Sequence, residues 1–295
     1  MPYDVLDVST WPVMSQEARG LDKKDWITHP DEVRTDGEAH WWLFKPVKVA
    51  SYRRHDDTAE KVVSELAKLI GLPAATVELA RGETEVGVIS RNVTPNGWTL
   101  DSGDTLLSEV PGYDPIGGET RPKDRVGHNL TNIETVLDGC LGPPSSECEV
   151  WPAMEVFAGY LVFDAWIANT DRHAINWSVL TSTASGDKRL AASFDHGSAL
   201  ASGAQEERIR ADWVETFCAQ GFAGRFEGGS RVTLVDLAKQ AVRQAGGQAG
   251  EWQVRLSTLE HKTWSEIIDA IPGLSVPRRT FLSSVLATNQ RRLAS

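Results

Sequence analysis

The chain has 295 residues, 41% of them hydrophobic, enough for one bilobal unit or two modest domains with a core of their own. A formal net charge of −11 argues against broad nucleic-acid binding, which depends on Lys and Arg neutralising phosphates. Cys140, Cys148 and Cys218 are too few for a disulfide framework and read as buried free thiols in a reducing cytoplasm; no apolar run reaches the roughly 18 to 20 residues that span a bilayer, and with no basic segment before an apolar core in the first residues, neither export nor membrane insertion is expected.

In chain order, the first feature is Ser15 to Trp26, where Gly20, Lys23 and Lys24 form a polar turn between two expected strands. It lacks a Gly-rich phosphate loop, and no Walker pattern occurs anywhere. Trp41 to Lys45 is an apolar run ending in a cation just before Pro46, as a strand delivering a lysine at its end. A helix follows: Asp57 and Glu60 resemble a capping box, Val62, Leu66, Leu69 and Ile70 make the apolar stripe, and Gly71 with Pro73 ends it. Glu60 and Glu65 flank the stripe on opposite sides, and either can turn inward to pair with Lys45. Thr76 to Ala80 and Val86 to Val93 form a hairpin through Arg81, Gly82 and Glu83, and Pro111 to Gly127 is a loop. Lys23 with Lys24, Arg53 with Arg54, and Arg278 with Arg279 read as solvated surface charge, and most of the eleven tryptophans as packing.

Val150 to Ala168 is strongly apolar, with Met154, Phe157, Leu161 and Val162 at helical spacing, and predicts a buried helix. The polar loop Asn169, Thr170, Asp171, Arg172, His173, Ala174, Ile175, Asn176 comes next. Trp177 to Leu180 and Arg189 to Ser193 predict two short strands, and the run closes at Phe194, Asp195, His196, Gly197. Asp171 and Asn176 stand five apart, and Asp195 follows nineteen residues later, which is the layout of a phosphotransferase. There the first aspartate takes or orients the proton of the attacking hydroxyl, while the asparagine and second aspartate hold Mg²⁺ against the ATP phosphates. Beyond residue 200, helices are expected over Arg208 to Phe217, Thr233 to Ala245, Trp252 to Ile271 and Pro277 to Leu293. A nucleotide-binding pseudokinase or scaffold, a small-molecule kinase of the same fold, and a metal-dependent hydrolase using the Asp and His cluster are the competing readings; intact Lys45, Asp171, Asn176 and Asp195 favour catalysis.

The set Leu43, Phe44, Lys45; Ala59, Glu60, Lys61, Leu66, Ala67, Gly71, Leu72, Pro73; Gly87, Val88, Ile89, Ser90; Asn169 to Asn176; and Phe194, Asp195 resembles the HipA-like kinases, over roughly residues 15 to 200. Those are bacterial serine/threonine kinases that include toxins of toxin–antitoxin pairs. The resemblance implies an α+β, bilobal protein-kinase-like fold, with a small, mainly antiparallel β N-lobe over residues 1–110 and a mainly helical C-lobe carrying the catalytic loop over 111–295. It implies that Lys45 contacts ATP phosphates, Asp171 is catalytic, and Asn176 and Asp195 bind Mg²⁺. It favours Glu60 as the partner of Lys45, puts the adenine hinge at Ser90, Arg91 and Asn92, and leaves Gly20 in the loop over the nucleotide. His173 is expected to brace the loop, with Asp164 as a second brace or a surface carboxylate. Implied partners are ATP, a protein with a Ser or Thr hydroxyl such as a translation component, and a cognate antitoxin. Three departures stand out. Ile175 occupies the place of a lysine common before the loop asparagine, so that a phosphate contact falls to Arg172 or Lys188 or is missing. The longer toxins' extra N-terminal subdomain is not expected in this compact form, and nothing in Ser15 to Lys24 clearly reproduces their autophosphorylated serine, for which Ser15 is only a candidate.

Overall fold

The computed structural model describes residues 1–16, 24–33, 35, 37–47, 55–115 and 123–295. The first half is built on a six-stranded sheet of β1 (Val5–Asp7), β2 (Val13–Gln16), β3 (Asp25–Ile27), β4 (Trp42–Pro46), β5 (Val77–Arg81) and β6 (Val86–Arg91), with α1 (Asp56–Leu69) packed against β5 and β6. The strand order is β1-β5-β6-β4-β3-β2, antiparallel except for β1 on β5. Lys45 on β4 lies opposite Val88 on β6. Gly87, opposite Pro46, has to be glycine, because a Cβ there would come within 2.1 Å of the Lys45 carbonyl oxygen.

Helix α1 ends as its sequence predicts. Gly71 takes the left-handed conformation at φ 64°, and the amides of Gly71 and Leu72 return to the carbonyls of Lys68 and Ala67, a Schellman motif. Its start differs from expectation. His55 caps without a side-chain bond, Asp57 accepts from the Thr58 amide at 2.7 Å, and Glu60 points elsewhere, so no capping box forms.

The second half contains β7 (Trp98–Ser102), α2 (Gly103–Leu107), α3 (Leu130–Leu137), α4 (Ala153–Trp166), β8 (Ser178–Ser182), β9 (Lys188–Leu190), α5 (Val214–Ala219), α6 (Leu234–Ala245), α7 (Glu251–Ser257), α8 (His261–Asp269) and α9 (Val276–Ala294). Strands β7, β8 and β9 make a small antiparallel sheet, so the chain changes sheets between Arg91 and Trp98. All fourteen residues of α4 are buried, which an apolar sequence without a polar face requires. Helices α3, α6, α7 and α9 pack around it. Trp166, Trp177, Trp252 and Trp264 are fully buried here, each large side chain contributing roughly 1.5–3 kcal/mol or more.

Two expected helices change. The first half of Arg208 to Phe217 is 3₁₀ turns ahead of a short α5. The segment Trp252 to Ile271 breaks into α7 and α8, because Gln290 on α9 donates to the carbonyls of Leu256 and Leu259 at 2.9 Å and terminates α7 there. Arg278, expected in solvent, is 1% exposed and binds Glu206 at 3.0 Å and the Ala204 carbonyl at 2.9 Å.

The halves are tied at several points. The Ser193 amide donates to the Pro73 carbonyl and the Ala75 amide to the Ser193 carbonyl, both near 2.9 Å. Arg255 on α7 donates to the Ile70 carbonyl at 3.1 Å, and the Tyr3 amide reaches Ala270. The three cysteines are buried and free, and among the described residues no helix is long and apolar enough to cross a membrane.

Candidate active site

Lys45 stands at the meeting point of strand β4, helix α1 and the segment after β9. Its Nζ donates to Glu60 Oε1 at 2.8 Å and to Asp195 Oδ1 at 2.9 Å. The second oxygen of Glu60 accepts the His196 backbone N–H at 3.2 Å, so one buried carboxylate joins α1 to the Asp195 segment. Burial alone would lower the Lys45 pKa, but Asp195 and Glu60 more than offset it and the pKa is raised. Asp195 is held well below the usual carboxylate range chiefly by Lys45, against burial, with Lys24 and His173 also in electrostatic reach. Of the two candidate glutamates, Glu60 is therefore the partner. Glu65 instead accepts from Lys61 and Lys68, both at 2.8 Å.

The loop after α4 is organised from beneath by Arg172. Its guanidinium donates to both oxygens of Asp164, at 2.7 and 2.8 Å, to the Asn176 carbonyl at 2.7 Å and to Ser193 Oγ at 2.9 Å. Ser193 is left with its own proton for His196 Nε2 at 2.8 Å. That imidazole is buried beside a cation and is held well below the ordinary histidine range, first by burial and then by Arg172. Arg172 is thus a buried strut and cannot serve as the phosphate contact expected of it; Asp164 is its counter-charge, not a surface carboxylate. Lys188, the alternative, lies on β9, within electrostatic reach of Cys140.

Asn176 donates its Nδ2 to the Asp171 carbonyl at 2.9 Å, which fixes the amide orientation and leaves Oδ1 without a hydrogen bond among the described residues. His173 accepts the Ile175 amide at Nδ1, 3.3 Å away, and braces the loop. Burial holds His173 below its ordinary range although Asp171 and Asp195, both close to it, favour its charged form. The two aspartates therefore share one neighbourhood. Asn176 Oδ1 and the 40% exposed Asp195 carboxylate are hard oxygen donors of the kind that fit Mg²⁺. A hydrolase centre of His, Cys, Asp and Glu would need a larger set, and among the described residues no group of three assembles.

The Asp171 carboxylate carries partners that the loop sequence does not announce. Arg225 donates through Nε and Nη2 to Oδ1, both at 2.7 Å, and Ser198 Oγ donates to Oδ2 at 3.2 Å. Arg225 is positioned by His128, whose ring takes the Trp177 indole N–H on Nε2 at 3.3 Å and therefore donates Nδ1–H to the Arg225 carbonyl at 3.0 Å. A proton on Nε2 would confront that indole donor, and burial, the main cause, brings the His128 pKa down to about 4. The one usable sequence signal was a single arginine in the Gly-rich connection Gly221 to Gly229.

The hinge expectation needs correction at two amides. The N–H of Arg91 bonds the Thr76 carbonyl and that of Asn92 bonds the Trp41 carbonyl, so neither is available to adenine, and Ser90 is buried within the sheet. Gly20 lies outside the described residues, as do Lys23, Arg53 and Arg54. Ser15 is exposed on β2, paired with Trp26.

No family model and no curated protein matches the sequence. Among solved structures, the chain is similar to the proinflammatory kinase CtkA of Helicobacter pylori, with a TM-score of 0.73 and 17% identity over 98% of this chain and 95% of that one. The fold is that of a HipA-like kinase. It is also similar to HipA of Shewanella oneidensis MR-1, solved with HipB and operator DNA, at a TM-score of 0.50 and 14% identity over 96% of this chain and 66% of that one. The α+β, bilobal kinase-like architecture agrees with these likenesses.

Proposed function

We propose that this chain is an ATP- and Mg²⁺-dependent kinase that transfers the γ-phosphoryl group to a Ser or Thr hydroxyl of a protein. The observation that carries the reading is Lys45 Nζ, 2.8 Å from Glu60 and 2.9 Å from Asp195, with Asp195 and Asp171 both in electrostatic reach of His173. Asn176 Oδ1 and Asp195 would hold Mg²⁺, which would supply charge neutralisation at the ATP phosphates. Lys45 binds the phosphates while Glu60 keeps its ammonium in place. Asp171 Oδ2, held through the exchangeable Ser198 bond, takes up the acceptor hydroxyl and orients or receives its proton. Arg225 keeps that carboxylate aimed. Adenine docks against backbone from Val93 onward, since the amides before it are spent in the sheet. The domain division is a nucleotide lobe followed by a helical lobe, with the boundary drawn between Arg91 and Trp98, earlier than the expected residue 110, because β7 pairs with β8 of the second lobe.

The buried free thiols support a cytoplasmic setting, and the HipB complex of the Shewanella neighbour supports a cognate partner protein. A nucleotide-binding pseudokinase has one observation in its favour, the pairing of Asp171 with Arg225. Labelled ATP decides between them. Asp171→Asn should lower phosphate transfer to Ser or Thr by about 10²- to 10⁴-fold while Mg·ATP binding persists; equal transfer by wild type and variant rejects the role of Asp171.

A further inference from the structure

A cleft of about 710 Å³ opens beside the catalytic loop, and it begins at Thr170 and Ser198, the latter bonded to Asp171. Its far wall is aromatic. Trp213 lies 5.0 Å from Phe217 and stacks on Phe281 at 5.3 Å and 21°, so the wall is rigid. Facing it are small residues of the segment 201–204, which give the cleft its depth.

That segment is held in an unfavourable shape. Leu200 and Ala201 have φ of 53° and 52°, a left-handed conformation that costs non-glycine residues of order 1 kcal/mol each or more. The Leu200 amide bonds the Ile167 carbonyl, the Ser202 amide bonds Ala199, and the buried Arg278 holds the Ala201 and Ala204 carbonyls. The cleft is therefore preformed.

Its charge is the specific feature. Arg208 is the single charged residue lining it among the described residues, and its guanidinium has no ion-pair or hydrogen-bond partner there. Of the nearby charges, Glu206 is committed to Arg278 and Ser275 and Arg210 to Asp212 at 3.2 Å, while the exposed Glu207 makes no ion pair with Arg208. An exposed cation left unneutralised in a molecule of net charge −11 presents a subsite for an anion.

We propose that this cleft is the acceptor-docking site and that it selects polypeptide segments in which the Ser or Thr is accompanied by a bulky apolar side chain and an acidic residue. The proposal rests on the phosphotransfer reading. The apolar side chain lies against Trp213 and Phe217, the carboxylate meets Arg208, and the hydroxyl displaces Ser198 at Asp171. An apolar wall and a separate cationic subsite, both reached from one catalytic carboxylate, suit a chain that supplies each with a different residue.

The test is a degenerate Ser-peptide library with labelled ATP and Mg²⁺, flanking positions fixed as Glu, Lys, Leu or Gly. Wild type should prefer Glu with Leu over Lys with Gly by about fivefold or more. Arg208→Glu should reverse the preference between Glu and Lys, Arg208→Lys should retain it, and ATP affinity should be the same in all three. An unchanged preference in Arg208→Glu, or label reaching small molecules alone, overturns the proposal while leaving phosphotransfer intact. Absence of both Mg·ATP binding and labelling overturns the two together.

Discussion

Lys45 sits between two carboxylates, Glu60 and Asp195, whereas Asp171 carries one guanidinium and one hydroxyl, and the two halves of the site differ in where those partners arise. On the nucleotide side, the partners are the residues that sequence spacing picks out: a lysine ending a strand, a glutamate beside the stripe of the next helix, and an aspartate 150 positions away. On the acceptor side, Asp171 is held by Arg225 and Ser198, 54 and 27 positions away, in segments without a motif. On the proposed kinase reading, the first half serves a chemistry common to many substrates, and the second serves the particular acceptor.

The largest expected effect bears on the platform common to both halves. Arg172→Leu leaves the Asp164 carboxylate buried without its counter-charge and should cost about 3–5 kcal/mol of stability in denaturant unfolding. Pairing it with Asp164→Leu should recover most of that loss. Recovery of nothing by the double variant would mean that Arg172 works through packing alone.

Next comes the acceptor side by itself. Arg225→Ala removes a charge-assisted bond to Asp171 and should lower kcat by roughly ten- to a hundredfold, with little change in Mg·ATP affinity. If ATP affinity falls as far as kcat, the two halves of the site are not separable. Ser198→Ala, which deletes the weaker 3.2 Å bond, should cost only a fewfold.

The smallest effect is the response to acid. His128 stays neutral in the fold, with its pKa brought down to about 4, while the unfolded chain takes up a proton near pH 6.5. The unfolded state then binds more protons below that pH, so stability should fall on acidification, by about 1.4 kcal/mol at pH 5.5 from this residue. His196 adds loss of the same sign. The Lys45–Asp195 pair should not contribute in that range: Asp195, its pKa lowered, loses its stabilisation only below the ordinary carboxylate pKa, and Lys45, its pKa raised, only at strongly basic pH. Denaturant midpoints at pH 7.5, 6.5 and 5.5 check the slope, and a flat profile would contradict the buried neutral imidazoles.

What was legible in the sequence follows from range. The α1 stripe, the all-apolar α4 and the β4 lysine are local patterns, and each appears within three residues of its expected position. The Asp171 and Asn176 spacing is local too. Roles decided by burial were not legible: Arg172 resembled a phosphate ligand and Arg278 a surface charge, and for Asp164 the sequence left brace and surface carboxylate both open until packing enclosed it as a brace. The Asp57–Glu60 capping box failed because a tertiary partner, Lys45, competed for Glu60. At the expected hinge the amides of Arg91 and Asn92 are taken by Thr76 and Trp41, pairings across the sheet that the local hairpin pattern does not reveal.

ATP binding titrated with and without Mg²⁺, in wild type and Asp195→Ala, tests the nucleotide side without depending on any acceptor. Mg²⁺ should tighten ATP binding by wild type and have little effect on the variant. The same Mg²⁺ enhancement in both proteins would contradict metal ligation by Asp195, and with it the kinase chemistry proposed for this site.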